Sequence, residues 1–357
     1  MSRLGRSLRR EKVKASNQLS FYAPLTYNLL LTKGQGVATF TRTTIATCWC
    51  YLENAVSGDS LVLQTIPSGI PRFEGARFIA SNNTWSNLLS DGAAIQEATL
   101  KGVSIEVASK NLFLQSATLA TQSVTTTATT YTVSFTGTGT VTLSGTFTGS
   151  LIGAGVNTRV SLSFTATAGT LTSTVSGSVT NAQLEALPMA TSYIPTTTAS
   201  LTRNADVLTF PNSGNVSNTA GTVLLEATPA VDIPNSITGG FGWNYLIDFG
   251  LSHGYLYCRA NALWRTDTSV TVTTPSWIPL KNTTYKIGSR YGSVGQRNWL
   301  SGTAGANGAF DGYIGSGINM TIGGYGGGTT YNWGGTIKNL KIYKKVLSDA
   351  QITSLTA

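Results

Sequence analysis

Between Asn111 and Leu184 the chain carries one charged residue, Arg159. Within that stretch Tyr131, Val133, Phe135, Val141, Leu143 and Phe147 all fall on odd positions, while Val160, Leu162, Phe164 and Ala166 fall on even ones. Thr and Ser occupy most of the alternate positions. A period of two sends successive side chains to opposite faces of an extended chain, so these runs predict antiparallel strands with one buried and one wet side. Gly137-Thr138-Gly139 predicts the turn between the first two runs. The stretch therefore reads as a β-sandwich or jelly roll. Its uncharged strands lack the usual guard against edge pairing, so the hydroxyl-rich face is also a candidate subunit contact.

The remainder of the 357 residues, enough for two or three domains, has the same bias. Charged residues make up 11% and apolar ones 41%, so there is ample material for cores and little charge to oppose collapse. Thr, Val, Tyr and Phe favour strands, and Gly and Asn favour tight turns. The fold class expected is all-β.

The net charge of +9 is concentrated at one end. Residues 1–42 hold eight bases against the single acid Glu11, so +7 of it lies there. A nearly neutral globular part is not the footprint of a nucleic-acid binder. Arg3, Arg6, Arg9, Arg10, Lys12 and Lys14 instead read as a docking arm for an acidic partner surface. The following stretch, Leu19 to Leu31, contains Pro24 and Asn28. It makes a poor secretory signal and is too short and polar to span a membrane.

Groups that titrate are scarce. His253, the only histidine, sits in a Ser252-His253-Gly254 turn, and no Gly-x-Ser-x-Gly elbow accompanies it. No two of the fifteen acids have the i, i+2 spacing that would aim a pair at a sugar from one strand, which leaves combinations such as Asp248 with Asp311. Asp232, Asp248 and Asp311 are too scattered to suggest calcium, and Cys48, Cys50 and Cys258 form neither a disulfide framework nor a zinc spacing. Cys48 and Cys50 alternate on one strand face and read as small buried residues. The expectation is a protein that is not an enzyme and takes no metal or cofactor.

Near the C-terminus, Ile322-Gly323-Gly324-Tyr325 precedes a strand with Ile337, Leu340 and Ile342 as its apolar residues, and Ser348 and Gln351 have capping-box spacing ahead of a short helix. With Asn282-Thr283-Thr284-Tyr285-Lys286-Ile287-Gly288 upstream, this order resembles the closing part of laminin-G-like (concanavalin A-like) β-sandwiches. That resemblance implies a surface-presenting module that binds glycans or proteins. Further upstream are Phe40-Thr41-Arg42, Pro71-Arg72-Phe73, Gly102 to Glu106, Asn111-Leu112-Phe113-Leu114-Gln115-Ser116, Thr191 to Thr197 and Leu201 to Asp206. In this order they resemble a module of bacteriophage head-spike and tail-fibre proteins.

The expected architecture is thus tandem antiparallel β-sandwich or jelly-roll domains with a basic N-terminal arm and a short C-terminal helix. The boundaries expected are a docking arm over 1–35, a connector over 36–116, a Thr/Ser-rich sandwich over 117–210, a linker over 211–220 and a laminin-G-like sandwich over 221–357. The function that the resemblance implies is a non-catalytic virion appendage, assembled in the bacterial cytoplasm as a dimer or trimer with capsid, portal or tail proteins. Alternatives are a capsid decoration protein, a virion-borne glycan-cleaving enzyme and a cell-surface lectin. Glycan contacts are assigned to Trp333, Tyr331, Tyr325 and Trp299, aromatic residues in the glycine-rich final domain.

Overall fold

The computed structural model describes residues 19–52, 59–230, 244–250, 254–259, 262–266, 271–273, 279–310, 318–326 and 331–357. It is an all-β protein of sheets that are antiparallel apart from one parallel pairing, Tyr51 with Arg77, and has one helix, Asp349–Thr356, among the described residues. That helix starts as its sequence dictates. Ser348 Oγ accepts the Gln351 N–H (3.3 Å) and Gln351 Oε1 accepts the Ser348 N–H (3.0 Å), satisfying two donors that a helix start leaves open. The basic residues assigned to docking, Arg3 to Lys14, lie outside the described residues, as do His253, Asp232 and Asp311.

The largest unit is a sandwich of an eight-stranded and a seven-stranded sheet. In the first, Gly221–Pro229 lies between Tyr285–Tyr291 and Gly335–Tyr343. In the second, Val207–Pro211, Asn319–Ile322, Asn244–Asp248 and Tyr255–Arg259 are consecutive neighbours. Val223, Leu225, Ile287, Ile337 and Ile342 from one sheet share a core with Leu208, Phe210, Leu246, Ile247 and Ile322 from the other. Burying a side chain of this kind contributes about 1.5–3 kcal/mol.

The strand Gly335–Tyr343 departs from a strict alternation, since Ile337 and Leu340 are both fully buried though three apart. A bulge resolves this. Asn339 adopts φ +54° and the register with Gly221–Pro229 shifts there. The extra residue returns the next apolar side chain to the core. Asparagine tolerates the left-handed region, and here its side chain is engaged: Nδ2 donates to Glu226 Oε1 (3.0 Å) and Oδ1 accepts from Tyr22 Oη (3.1 Å). The bulge also divides one edge of the strand between two partners, Gly102–Ile105 before it and Leu19–Ala23 after it.

Strand pairing therefore cuts across the boundaries expected from sequence. Leu19–Ala23, from the expected arm, and Phe73–Glu74 and Gly102–Ile105, from the expected connector, are strands of the C-terminal sandwich. Thr39–Thr41 and Val207–Pro211 pair in its other sheet. The expected linker is a fixed turn. Asn215 is fully buried, with Nδ2 donating to the carbonyls of Gln35 and Pro211 and Oδ1 accepting the Gln35 N–H. Turn-forming composition predicts a turn, but not whether other chain segments will close over it.

The Thr/Ser-rich stretch forms a second sandwich of a four-stranded and a three-stranded sheet, with Tyr131, Val133, Phe135, Val141, Leu143 and Phe164 in its core. Its hydroxyl face is not uniformly wet. Thr132, Ser134 and Thr136 of the strand Thr130–Gly137 are buried, because this strand is central in its sheet and Leu187 and Arg159 lie against its hydroxyls. Thr132 Oγ1 donates to the Leu187 carbonyl (2.8 Å) and Thr136 Oγ1 to that of Thr180 (3.2 Å). Cys48, Cys50, Ile66 and Phe78 form a smaller core under the sheet built on Ala46–Leu52. The two cysteines are free and buried, as their alternation predicts.

The upstream motif residues meet in one buried ionic hub. Asp206 binds Arg42 (3.0 Å) through one carboxylate oxygen, and Arg72 and Arg203 (3.5 Å) through the other. Glu106 binds Arg72 (2.8 Å) and Arg203 (3.5 Å), and accepts the N–H and hydroxyl of Ser192. Burial works against the Glu106 charge, but Arg72, Arg203 and Ser192 outweigh it and hold the carboxyl at about 2. The hub joins residues from five sequence motifs at one buried point. Glu74, beside it, shows the opposite balance: burial pushes its carboxyl up to about 7, against the attraction of Arg72. A carboxyl raised above its unfolded value favours the folded state at low pH, and that contribution is lost as pH rises through 7. Glu74→Gln should therefore raise stability by about 3 kcal/mol at pH 8 and change it little at pH 4, read from paired urea denaturation curves. Equal effects at both pH values would contradict this charge state.

Candidate functional site: a tyrosine face beside a glycine-rich loop

The strand Asn244–Asp248 pairs with Tyr255–Arg259 so that Tyr245 lies opposite Tyr257. Leu246, Leu256 and Cys258 point into the core, while Tyr245 and Tyr257 stack on each other (centroids 5.0 Å apart, 23° between planes) in a separate cluster. Directly opposed aromatic residues on one sheet face stabilise the pair as well as the surface they build.

Tyr325 and Tyr331 complete this face. Their centroids lie 5.0 Å and 6.1 Å from that of Tyr245, and 6.0 Å from each other at an interplanar angle of 62°. Tyr245 and Tyr257 are 3% exposed, whereas Tyr325 and Tyr331 are half-buried, each keeping part of its surface in solvent. The inner pair thus forms a floor and the outer pair two accessible rings set at an angle.

Backbone contacts fix the outer rings. The Gly323 N–H donates to the Leu246 carbonyl (2.9 Å), the Trp333 N–H to that of Gly323 (2.8 Å), and the Tyr245 N–H to that of Tyr331 (3.1 Å). Asn244 Nδ2 donates to the carbonyls of Asn332 (3.3 Å) and Trp333 (3.1 Å). Asp248 spends both carboxylate oxygens on the same task, accepting the Gly250 N–H (2.7 Å) and the Gly326 N–H (3.0 Å). Burial raises its pKa and those two donors oppose the rise. Asp248 is thereby a loop-positioning residue, next to Tyr325. Residues 327–330, between the two halves of the loop, lie outside the described residues.

The structure brings together two of the four assigned glycan contacts and places the other two in cores. Trp333 is fully buried between the two sheets. Of its glycine neighbours, Gly334 adopts φ +72° and Gly335 serves close packing: a Cβ on Gly335 would lie 2.3 Å from the Thr228 carbonyl oxygen and 2.9 Å from Trp333 Nε1. Trp299 is also fully buried, packed against Leu347 and Ile352, with Nε1 donating to Thr353 Oγ1 (3.1 Å). Arg290 and Arg297 flank its ring, each 5.5 Å from the centroid, and both pair with Asp349 of the helix. Tyr245 and Tyr257 were not anticipated. Their signal was the alternation with Leu246, Leu256 and Cys258, which sets two tyrosines on the face opposite the core.

Among the described residues no three His, Cys, Asp or Glu side chains gather as metal ligands, and no helix is long and apolar enough to cross a membrane. What this face offers is aromatic surface and fixed backbone, without a titrating pair.

No family model and no curated protein matches the chain. Among solved structures it is similar to leech intramolecular trans-sialidase in complex with 2,7-anhydro-Neu5Ac, at 20% identity and a TM-score of 0.32. The match covers 39% of this chain and 23% of the leech protein. It is similar to the Ruminococcus gnavus IT-sialidase CBM40 bound to α2,6 sialyllactose (15% identity, TM-score 0.33, 40% of this chain and 85% of that one). It is also similar to domain 4 of AbnA, a GH43 extracellular arabinanase from Geobacillus stearothermophilus, in complex with arabinotriose (17% identity, TM-score 0.32, 43% and 73%).

Proposed function

We propose that this chain is a non-catalytic binding protein of a bacteriophage virion, of head-spike or tail-fibre type. Its basic N-terminus docks on other virion proteins and its C-terminal sandwich offers the tyrosine face to glycans of the host surface. The observation that carries the binding role is the Tyr325–Tyr331 pair, two accessible rings on a fixed floor of Tyr245 and Tyr257. Aromatic faces take the C–H side of a sugar ring, and a floor already in place lowers the ordering cost of binding. The virion assignment is supported by the motif residues Arg42, Arg72, Glu106, Ser192, Arg203 and Asp206, which resemble the phage module in sequence order and share one hub. The non-catalytic reading is supported by the use of both Asp248 oxygens in holding the loop.

Binding of neutral oligosaccharides from the host envelope, followed by calorimetry on the full chain, tests the site. Tyr325→Ala and Tyr331→Ala should each weaken it about tenfold, the size expected for loss of a stacking contact of about 1–1.5 kcal/mol. Unchanged affinity in both variants would remove the tyrosine face from consideration. Deleting residues 1–14 should abolish incorporation of the chain into particles, measured by immunoblot of purified virions. Normal incorporation would sink the docking role of the basic arm.

A further inference from the structure

We propose that a second, separate site lies where the middle sandwich meets the strand Ala46–Leu52 and the start of Gly335–Tyr343, and that it takes a carboxylate-bearing saccharide through Arg159. A cavity of about 500 Å³ opens there, lined in part by Trp49, Lys101, Asn157, Arg159, Ser161 and Ser192. The volume is that of a small-ligand cleft.

Arg159 is the one charge that the middle sandwich carries between Asn111 and Leu184, and it faces this cavity. It differs from the hub arginines in its partners. Arg42, Arg72 and Arg203 each meet a carboxylate, whereas the hydrogen bond of the Arg159 guanidinium is Nη2 to Ser134 Oγ (2.7 Å). Its Nε, like those of Arg72 and Arg203, is shielded from solvent and has no hydrogen-bond partner.

The two carboxylates whose charge it feels are already committed. Glu185 accepts from Ser109 Oγ (2.5 Å), the Thr191 N–H (3.0 Å) and Thr191 Oγ1 (2.5 Å). Glu106 is held by Arg72, Arg203 and Ser192. Burial accordingly lowers the Arg159 pKa despite both acids. Arg159 is half-buried, and a partly desolvated guanidinium without its own counter-ion carries a cost that an anion entering the cavity would offset.

The rest of the wall selects among anions. Lys101 and Lys281 add positive charge. Of the two acids in the wall, Glu106 is ionised but paired with Arg72 and Arg203, and Glu74 opposes an anion only where it is ionised, its carboxyl being pushed up to about 7 by burial. A planar guanidinium matches a carboxylate bidentately. Asn157, Ser161, Ser192 and Thr336 supply neutral donors and acceptors suited to hydroxyl groups, and Trp49 offers an apolar ring. A carboxylate joined to a polyhydroxylated ring meets all three demands.

Calorimetry on the full chain with glucuronate, galacturonate and N-acetylneuraminate, against glucose and galactose, tests this. At least one of the acids should bind tenfold or more tightly than both neutral sugars. Arg159→Gln should weaken that binding at least tenfold, and Tyr325→Ala should leave it unchanged. Should Arg159→Gln fail to fold, Asn157→Trp, which fills the cavity mouth, should block binding in its place. The proposal is overturned by absence of binding for all three acids or by equal affinity for neutral and acidic sugars. It is also overturned by loss of the preference in Tyr325→Ala, or by retained affinity in the folded cavity variant.

Discussion

Asp206→Ala is expected to lower the stability of the chain by about 3–5 kcal/mol, the cost of removing one partner from a buried ion pair. Asp206 answers three arginines at once, all with side chains closed to solvent. Without it, Glu106 alone would face Arg72 and Arg203, and Arg42 would have no carboxylate. Desolvation of three guanidinium groups would then be matched by one acid, which is why breaking this hub costs more than any surface pair. Urea denaturation at pH 7 would measure it, and a loss below about 1 kcal/mol would mean that water enters the hub and screens it. The hub also sets an acid limit. Glu106, held at about 2 in the folded chain against an ordinary 4.5, contributes stability that is complete above pH 4.5 and lost as pH falls towards 2.

Trp333→Ala carries the second large effect, about 3–5 kcal/mol, because it empties a fully buried indole volume between the two sheets. At a temperature where the variant remains folded, its affinity for neutral oligosaccharides should match that of the unaltered chain within about twofold, a difference of roughly 0.4 kcal/mol. The pairing of a large stability loss with intact binding separates a core tryptophan from a sugar platform. Lost binding in a variant of undiminished stability would restore Trp333 to the surface.

Much of the architecture was legible because it depends on local periodicity. The alternation over Tyr131 to Phe135 and Val141 to Leu143 marks two strands in which Tyr131, Val133, Phe135, Val141 and Leu143 are all buried. The capping residues Ser348 and Gln351 mark the start of the helix. The assembly was less legible because it depends on partners far apart in sequence. Arg42 and Asp206 are 164 residues apart, and nothing local to either shows that they meet. For the same reason Leu19–Ala23 reads as part of an arm, although it closes a sheet against Gly335–Tyr343. The tryptophans misled for a different reason. Glycines beside an aromatic residue read as an exposed loop, yet Gly335 is there because its neighbours leave no room for a Cβ. Tyr325 and Tyr331 were legible by the same reasoning only because their rings stop at the sheet face instead of entering the core.

Hydrogen exchange on the full chain, with and without a bound neutral host-envelope oligosaccharide, reads out where a sugar sits. Protection should rise in peptides covering 244–248 and 322–334 and should be absent from the same peptides of the Tyr325→Ala, Tyr331→Ala double variant. Protection confined to other segments, with these peptides exchanging as in the free chain, would contradict a binding face built on the four tyrosines.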